Sequence, residues 1–241
     1  MLNTTPVPAQ AGQQPFSLCV FDLDGTLLNT LADLAASTNY ALAQLGYPTH
    51  PVERYKRFVG DGILTLLQRA AGPNPVEEEA LAQLKTLFDQ HYDIHRFDQT
   101  APYPGCCSML EHLQEAGLLL AVLSNKPDEF VGDLLCRYFP SVRFFEAVGK
   151  RPGYAKKPDP AALLDLIARS GVEKSRCLYI GDSDVDVYTA HNAGIACCGA
   201  LWGFRGYEEL KNAGADCFAQ EPGQVADIAL GLPAQATEER R

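Results

Sequence analysis

Short apolar runs that end at polar residues recur along this chain, and this pattern most constrains its fold. Residues 17–21 form such a run and stop at Asp22, and residues 118–123, 176–180 and, more weakly, 194–198 repeat it. Helical stretches lie between the runs. Continuous apolar runs are typical of strands buried on both faces of a parallel sheet, and their alternation with helices indicates βαβ units. The sequence therefore predicts an α/β fold with a doubly wound, Rossmann-like parallel sheet.

Residues 30–100 interrupt this alternation. They show helical periodicity and no strand-like run, with helices predicted at 31–45, 63–71 and 76–92. Two prolines and a glycine at residues 102–105 indicate a stiff hinge that returns the chain to the core. The predicted organisation is a flexible tail at residues 1–15, an α/β core at 16–29 and 101–232, an inserted all-helical domain at 30–100, and a second flexible tail at 233–241.

Composition argues against several classes of function. The 241 residues include 30 acidic and 20 basic side chains, and this formal charge of −10 disfavours nucleic-acid binding through clustered Lys and Arg. No apolar stretch is long enough to cross a membrane, and the first residues lack the features of a signal peptide. The eight cysteines form no CxxC pair and several lie in apolar runs, so we expect reduced thiols in a cytoplasmic protein.

The first candidate site is the segment Asp-Leu-Asp-Gly-Thr at residues 22–26, directly after the first apolar run. Taken alone, it also fits an ordinary turn, because Asp and Gly commonly close strands. Two carboxylates at the end of a buried strand repel each other, however, and a divalent cation would relieve that repulsion. Gly25 would in addition let backbone amides approach an anion closely.

Three further polar segments follow predicted strands or precede predicted helices. Ser-Asn-Lys at residues 124–126 fits either an anion site or a helix N-cap. Lys157, flanked by Pro158 and Pro160, fits either a fixed cation or an exposed loop, and residues 181–186 (Gly-Asp-Ser-Asp-Val-Asp) contain acids that also suit a helix start. Because the carboxyl ends of parallel strands meet in one crevice, we expect these segments to lie together.

In this order, the segments resemble the four motifs of the haloacid dehalogenase superfamily. The residues that carry the resemblance are Asp22, Asp24 and Thr26 for a DxDxT motif, Ser124 for the second, Lys157 for the third, and Asp182 and Asp186 for a GDxxxD-type motif. The helical insertion resembles the C1 cap of that family. The resemblance spans about residues 17 to 200 and implies phosphoryl transfer with Mg²⁺ as the cofactor.

The resemblance also implies a role for each matching residue. Asp22 is the expected nucleophile, and Asp24 is the expected acid that protonates the leaving group and then activates water. The expected Mg²⁺ ligands are the carboxylates of Asp22 and Asp182 and the backbone carbonyl of Asp24. Asp186 is expected to orient this shell. A carboxylate nucleophile splits one difficult step into two, and oxygen ligands suit Mg²⁺.

The phosphate is expected to contact Ser124, Asn125 and Lys157. Transferring phosphoryl groups need positioning and positive charge more than covalent assistance, which fits a hydroxyl, an amide and an ammonium. Because Asp24 must hold a proton at one step, its environment should favour protonation then.

Within the superfamily the pattern is most similar to phosphoglycolate phosphatases, through residues 21–30 (FDLDGTLLNT), the Val-Gly-Asp-Gly segment at 59–62, and the KPDP and YIGDSDVD segments. Asn29 departs from the residue that many of those relatives carry. The resemblance implies a small phosphorylated metabolite as the partner, with 2-phosphoglycolate first, and another sugar phosphate, a pyrophosphate or a nucleoside monophosphate as alternatives. A phosphomutase would differ at the position of Thr26.

A non-enzymatic phospho-aspartate switch uses similar residues, but a receiver domain is about half this length and lacks the helical insertion. Lys56, Arg57 and Arg205 are candidates to meet a substrate carboxylate, or are simply solvated. The 59–62 segment is either part of the site or a turn between helices. The sequence leaves open whether the protein is a monomer or a homodimer.

Overall fold

The computed structural model describes residues 15–233, in which strands and helices alternate along most of the chain. The predicted tails fall almost entirely outside the described residues. The strands are β1 (Leu18–Phe21), β2 (Leu28–Asn29), β3 (Ala101–Pro102), β4 (Leu119–Pro127), β5 (Glu146–Lys150), β6 (Cys177–Gly181), β7 (Ala196–Ala200) and β8 (Cys217–Ala219). The α-helices are α1 (Leu31–Gln44), α2 (Ile63–Ala71), α3 (Glu78–His95), α4 (Cys106–Glu115), α5 (Asp128–Tyr138), α6 (Ala161–Ser170), α7 (Asp184–Ala193), α8 (Tyr207–Ala213) and α9 (Pro222–Leu230).

Six strands form one parallel sheet in the order β5-β4-β1-β6-β7-β8. All four residues of β1 are fully buried, which explains why its sequence is a continuous apolar run. Leu18 and Val20 pack into one apolar cluster, and Cys19 and Phe21 pack into another on the opposite face of the sheet. The structure confirms the predicted doubly wound α/β fold.

Helices cover both faces of this sheet. Residues of α4, α5 and α9 pack with Cys19 and Phe21, whereas residues of α6, α7 and α8 pack with Leu18 and Val20. Both faces of the sheet are therefore covered by apolar side chains. The polar residues that end the central strands are left at the carboxyl edge of the sheet, where a ligand can reach them.

The structure corrects one predicted boundary. β4 continues through Ser124 and Asn125 to Pro127, with an irregular register between Leu123 and Pro127. Residues 124–126 therefore belong to a strand, and the helix N-cap interpretation of Ser124 and Asn125 is wrong because α5 begins only at Asp128. The sequence analysis did not predict the short edge strands β5 and β8, because runs of three to five residues give little periodic signal. It did not predict the last two helices, α8 and α9, either.

The helical insertion has an apolar core of its own. Residues of α1, α2 and α3, together with the 3₁₀-helix Val52–Arg57, form a buried cluster that also includes Phe130 of α5. The two connections to the α/β core pair as an antiparallel ribbon, in which Leu28 faces Pro102 and Asn29 faces Ala101. Within residues 15–233, no helix combines the length and the apolar character needed to cross a membrane.

Candidate active site

The carboxyl ends of β1, β4 and β6 bring together polar residues that are far apart in the sequence. Asp22 directly follows β1, Ser124 lies near the end of β4, and Asp182 directly follows β6. All three side chains are buried. Thr26, from the turn after β1, donates a hydrogen bond of 3.4 Å to Asp182 Oδ1 and so links the ends of two neighbouring strands. The segments therefore converge on one crevice, as expected for a parallel sheet.

Three buried carboxylates form a cluster in this crevice. Asp22, Asp182 and Asp186 each place one oxygen within 4.8 Å of the others. The backbone around Asp182 is closely packed, because a Cβ atom added at Gly25 or at Gly203 would overlap the Asp182 side chain. Gly25 also has a φ of +91°, which only glycine adopts easily. Glycine is thus required at position 25, because the Asp182 side chain fills the space that a Cβ atom would occupy.

The loop after β7 also holds Asp182, through residues that the sequence analysis did not single out for this role. The backbone N–H of Phe204 donates to Asp182 Oδ2 at 2.7 Å, and the indole N–H of Trp202 donates to the carbonyl of Thr26 at 2.9 Å. Gly203, between them, is packed against Asp182. Residues 202–204 therefore fix the position of the Asp182 carboxylate and of the turn after β1.

Lys157 supplies positive charge to the acid cluster. Its ammonium donates to Asp186 Oδ1 at 2.7 Å and to the Tyr179 hydroxyl at 3.1 Å, and it lies 3.0 Å from Asp22 Oδ1. Burial acts to lower the pKa of Lys157, but the carboxylates of Asp186 and Asp22 more than offset it, and the pKa is raised well above its ordinary value. Lys157 is therefore a permanently charged buried cation.

The single positive charge of Lys157 does not balance the negative charge of the three carboxylates. Burial is the main cause that raises the pKa of Asp22, to about 7, against the opposing effect of Lys157. Burial and the neighbouring Asp186 and Asp22 carboxylates also raise the pKa of Asp182 well above its usual range. The contact of Lys157 with Asp22 Oδ1 is not aligned as a hydrogen bond, so among residues 15–233 that oxygen lacks an aligned donor.

A divalent cation fits these residues. With all three acids ionised beside Lys157, two negative charges stay uncompensated, which is the charge of one such ion. Asp186 is paired with the Lys157 ammonium through one oxygen and accepts from the backbone N–H and hydroxyl of Ser183 through the other. In the described part of the chain, Asp182 accepts only from neutral donors, the Thr26 hydroxyl and the Phe204 N–H, so its negative charge is not balanced by a cation in direct contact. Asp22 and Asp182 are therefore the carboxylates best able to bind a metal, and Asp186 orients Lys157.

Asp24 lies outside the acid cluster and pairs with a different lysine. Lys126 Nζ lies 3.1 and 3.2 Å from the two carboxylate oxygens of Asp24. Its ammonium also lies 4.7 Å from the ring centre of Tyr92, which belongs to α3 of the helical insertion. Burial would lower the pKa of Lys126, but Asp24 and Tyr92 outweigh it and raise the pKa above its ordinary value. The sequence analysis gave Lys126 no role, although it follows Ser124 by two positions.

Ser124 and Asn125 differ in how their side chains are used. Ser124 Oγ accepts a hydrogen bond of 3.3 Å from the backbone N–H of Lys126 and lines the crevice beside Asp22. Asn125 Oδ1 accepts from the backbone N–H of Lys157 at 2.8 Å, and its Nδ2 donates to the carbonyls of Lys157 and Gly60. The Asn125 side chain thus positions Lys157 and the insertion, and Asn125 also lines the cavity in which the phosphate is expected to bind.

Comparison with known proteins agrees with this geometry. The model of the haloacid dehalogenase-like hydrolases matches residues 19–200, which include every motif described above. The chain belongs to this family. This hydrolase is 33% identical, over 221 residues, to a phosphoglycolate phosphatase of Vibrio parahaemolyticus, covering 90% of the chain and 97% of that relative. It is 37% identical to a phosphoglycolate phosphatase of Pseudomonas syringae pv. tomato over 223 residues, covering 90% of the chain and 78% of that relative.

A solved structure of a predicted phosphoglycolate phosphatase from Haemophilus somnus 129PT superimposes with a TM-score of 0.83 at 30% identity. The alignment covers 90% of this hydrolase and 99% of that chain. The α/β core and the helical insertion thus occur together in a relative of known structure.

The Val59–Gly62 segment of the hydrolase lies at the site and is held there by the α/β core. Its consecutive carbonyls accept hydrogen bonds from three core side chains: Val59 from Arg205 at 2.9 Å, Gly60 from Asn125 at 3.0 Å and Asp61 from Lys156 at 3.1 Å. A cavity of about 30 Å³ lies between this segment and Asp22. Since one water needs roughly 10–15 Å³, only a small group fits in this conformation.

Two of the three candidates to bind a substrate carboxylate, Lys56 and Arg205, have other partners. Lys56 pairs with Glu53 at 2.8 Å and Arg57 is exposed, and neither lines the cavity. Arg205 donates to the Val59 carbonyl and lies 3.4 Å from Glu209. Of the three, Arg205 therefore joins the insertion to the core.

Proposed function

We propose that this hydrolase cleaves a small phosphate monoester, with 2-phosphoglycolate as the first candidate substrate and Mg²⁺ as the cofactor. The observation that carries the proposal is the environment of Asp22. Its buried carboxylate lies at the end of β1, beside the cation Lys157 and the metal-competent Asp182, and it lines a cavity together with Asp24. A nucleophile and a general acid that share one cavity, with a counter-charge beside the nucleophile, support phosphoryl transfer.

In the proposed reaction, one oxygen of Asp22 attacks phosphorus, and the bond between phosphorus and the ester oxygen breaks. Asp24 gives a proton to the departing alkoxide as it forms. The resulting aspartyl phosphate is then hydrolysed by water, from which Asp24 takes a proton, so inorganic phosphate leaves and Asp22 is restored. Bound Mg²⁺ would neutralise phosphate charge, with Asp22 and Asp182 as its carboxylate ligands.

The remaining residues hold the phosphoryl group and the nucleophile. We propose that the Ser124 hydroxyl, which lines the cavity, binds a phosphoryl oxygen, and that the Lys157 ammonium contacts both Asp22 and the phosphate. Asn125 supports this arrangement through its two contacts with the backbone of Lys157. Lys157 is itself held by Asp186, so removal of Asp186 would displace the cation and leave Asp22 less activated.

Relatives support the choice of substrate. Proteins named phosphoglycolate phosphatase match this chain at 33% and 37% identity over about nine-tenths of its length. Another sugar phosphate or a pyrophosphate is the alternative substrate within the same reaction class.

We further propose that residues 30–100 act as a cap that opens to admit substrate, with the β2–β3 ribbon as its hinge. Closure would exclude water from the reacting phosphate. All eight cysteines are free thiols, which supports a reducing compartment such as the cytoplasm.

The experiment is Mg²⁺-dependent release of phosphate from 2-phosphoglycolate by the wild-type protein and by Asp22→Asn. The variant keeps the size of the side chain but removes the nucleophile, so turnover should fall to background. Asp184→Asn is the matched control, because Asp184 lies on the adjacent first turn of α7 outside the acid cluster and should leave turnover near wild type. Wild-type rates in Asp22→Asn would contradict the proposal. So would a wild-type phosphoprotein that persists for minutes without releasing phosphate.

A further inference from the structure

The cavity between the insertion and the core has one cationic side chain in its lining. Among the described residues that line it, the acids Asp22 and Asp24 are accompanied by the ammonium of Lys126, whereas the wall from the insertion is apolar and includes Leu34, Ile63 and Leu66. Lys126 is 3% exposed, so its charge is almost completely withdrawn from solvent. Such a buried cation attracts an anionic group far more strongly than a solvated one does.

The other cations near the cavity are already committed. Lys157 contacts Asp22 and Asp186 in the acid cluster, at 3.0 and 2.7 Å. Arg205 and Lys156 donate to the carbonyls of Val59 and Asp61, and neither lines the cavity. Lys126 also has a partner, Asp24, but among the described residues it is the cation that lines the cavity, so it is the one that a substrate group other than the phosphate can reach.

The position of Lys126 follows from that of Asp24. In the proposed reaction Asp24 contacts the ester oxygen, and Lys126 lies 3.1 Å from Asp24. In 2-phosphoglycolate a single methylene carbon separates the ester oxygen from the carboxylate. A substrate whose ester oxygen meets Asp24 would therefore bring its carboxylate to the neighbourhood of the Lys126 ammonium. The Tyr92 ring, 4.7 Å from that ammonium, covers it from the side of the insertion.

We propose that Lys126 is the specificity-determining residue that binds the carboxylate of the substrate, so that the site selects phosphate esters with an anionic group one carbon from the ester oxygen. This inference rests on the proposed function. An ammonium has three donors, so Lys126 can hold Asp24 and the incoming carboxylate together. Closure of the insertion over the pair would bring Tyr92 against the ammonium, so recognition of the carboxylate and closure would depend on the same side chain.

The test compares two esters that differ only at the recognised group, 2-phosphoglycolate and 2-hydroxyethyl phosphate. In Lys126→Met, which keeps the length of the side chain without its charge, the ratio of kcat/KM for the two esters should fall by roughly 10- to 100-fold. Lys126→Arg should keep most of the wild-type ratio. Because Lys126 also pairs with Asp24, both rates can fall in Lys126→Met, and the ratio removes that shared effect.

Lys156→Met is the matched control, since it removes a neighbouring lysine that contacts the insertion without lining the cavity. Its rates can change, but its ratio should equal that of the wild type. An unchanged ratio in Lys126→Met, with both esters slowed equally, would overturn the inference and leave Lys126 as a partner of Asp24 only. In that case the wild-type protein would still hydrolyse 2-phosphoglycolate, so the proposed function would stand.

A binding measurement tests carboxylate recognition by Lys126 without depending on turnover. Calorimetric titration with 3-phosphonopropionate and with propylphosphonate compares two ligands in which a methylene replaces the ester oxygen, so that neither can be hydrolysed and only the first has a carboxylate. The wild-type protein should prefer 3-phosphonopropionate, and Lys126→Met should lose that preference. If the preference depends on Lys126 while no ester is hydrolysed, carboxylate recognition stands and the proposed reaction is wrong. Equal loss of affinity for both ligands would refute carboxylate recognition.

Discussion

The substitution Gly203→Ala would test whether the loop after β7 fixes Asp182. A Cβ atom at this position would lie 2.5 Å from both Asp182 Oδ2 and the carbonyl oxygen of Gly25. Ordinary contacts of a Cβ begin near 3.4 Å, so each of these neighbours must separate from the added atom by about 1 Å. The Gly25 carbonyl belongs to the tight turn that follows β1, and Asp182 is fixed by the Phe204 N–H. The displacement would therefore affect both the Asp182 carboxylate and the turn that carries Asp24, or would move residue 203 away from them.

The expected cost can be divided into stability and activity. Overpacking a tight site costs about 1–3 kcal/mol of the free energy of unfolding. A shift of about 1 Å in a catalytic group costs on the order of 100-fold in rate. We expect kcat/KM for 2-phosphoglycolate to fall by about that factor in Gly203→Ala, with weaker Mg²⁺ binding measured by calorimetry. The thermal unfolding midpoint, followed by circular dichroism, establishes that the variant is folded at the assay temperature.

Gly206→Ala is the control within the same loop. An added Cβ at Gly206 meets nothing within 4 Å, and its φ of −125° suits any residue. This variant should retain wild-type Mg²⁺ affinity and turnover, with a free energy of unfolding within about 1 kcal/mol of the wild type. Wild-type Mg²⁺ affinity and turnover in a folded Gly203→Ala protein would refute the claim that residues 202–204 fix Asp182. Equal losses in both variants would refute it as well.

Two further outcomes follow from the charges and contacts of the site. The pKa of Asp22 is about 7 in the folded protein, against an ordinary value of 3.8. Between these pH values the metal-free folded protein keeps a proton on Asp22 that the unfolded chain has lost. The free energy of unfolding should therefore fall as pH rises from about 4 to about 7. Mg²⁺ must displace that proton, so the rise in Tm caused by Mg²⁺ should be larger at about pH 8 than at about pH 5.5, and a pH-independent rise would contradict this. Asn125→Ala removes the contacts to Gly60 and to the Lys157 backbone, and it should raise KM and lower kcat, with protease cleavage of the insertion becoming faster. Unchanged proteolysis and kinetics would show that Asn125 has neither role.

The sequence predicts those strands and helices whose burial produces a regular pattern of apolar residues. β1 and β6 are buried on both faces, so they appear as unbroken apolar runs, and the helix at 63–71 has the bounds that its periodicity indicates. Because parallel strands end at one edge, Asp22, Ser124 and Asp182 were expected to meet, and they lie in one crevice. The family resemblance, carried by four short motifs, is confirmed by the match to residues 19–200.

The contacts that refine the site are tertiary and leave no periodic signal. Lys126 and Asp24 are 102 positions apart, and Trp202 and Thr26 are 176 apart, so neither pair is visible in any local window. The place of Asn125 beside Ser124 predicts a phosphate ligand, and the structure adds contacts of its amide with Lys157 and Gly60. These added contacts depend on where the insertion folds back onto the core, which a local pattern in the core segments does not encode.

The central claim is that Asp22 carries the phosphoryl group during turnover, and covalent trapping tests it most directly. Asp24→Asn should slow hydrolysis of the intermediate, because Asp24 takes the proton from the attacking water. With p-nitrophenyl phosphate, whose leaving group needs little protonation, the first step should survive in this variant and the phosphoprotein should accumulate. Rapid acid quenching, borohydride reduction and peptide mass spectrometry should then find homoserine at position 22. Reduction at another carboxylate, or continued turnover with no modified peptide, would contradict the account.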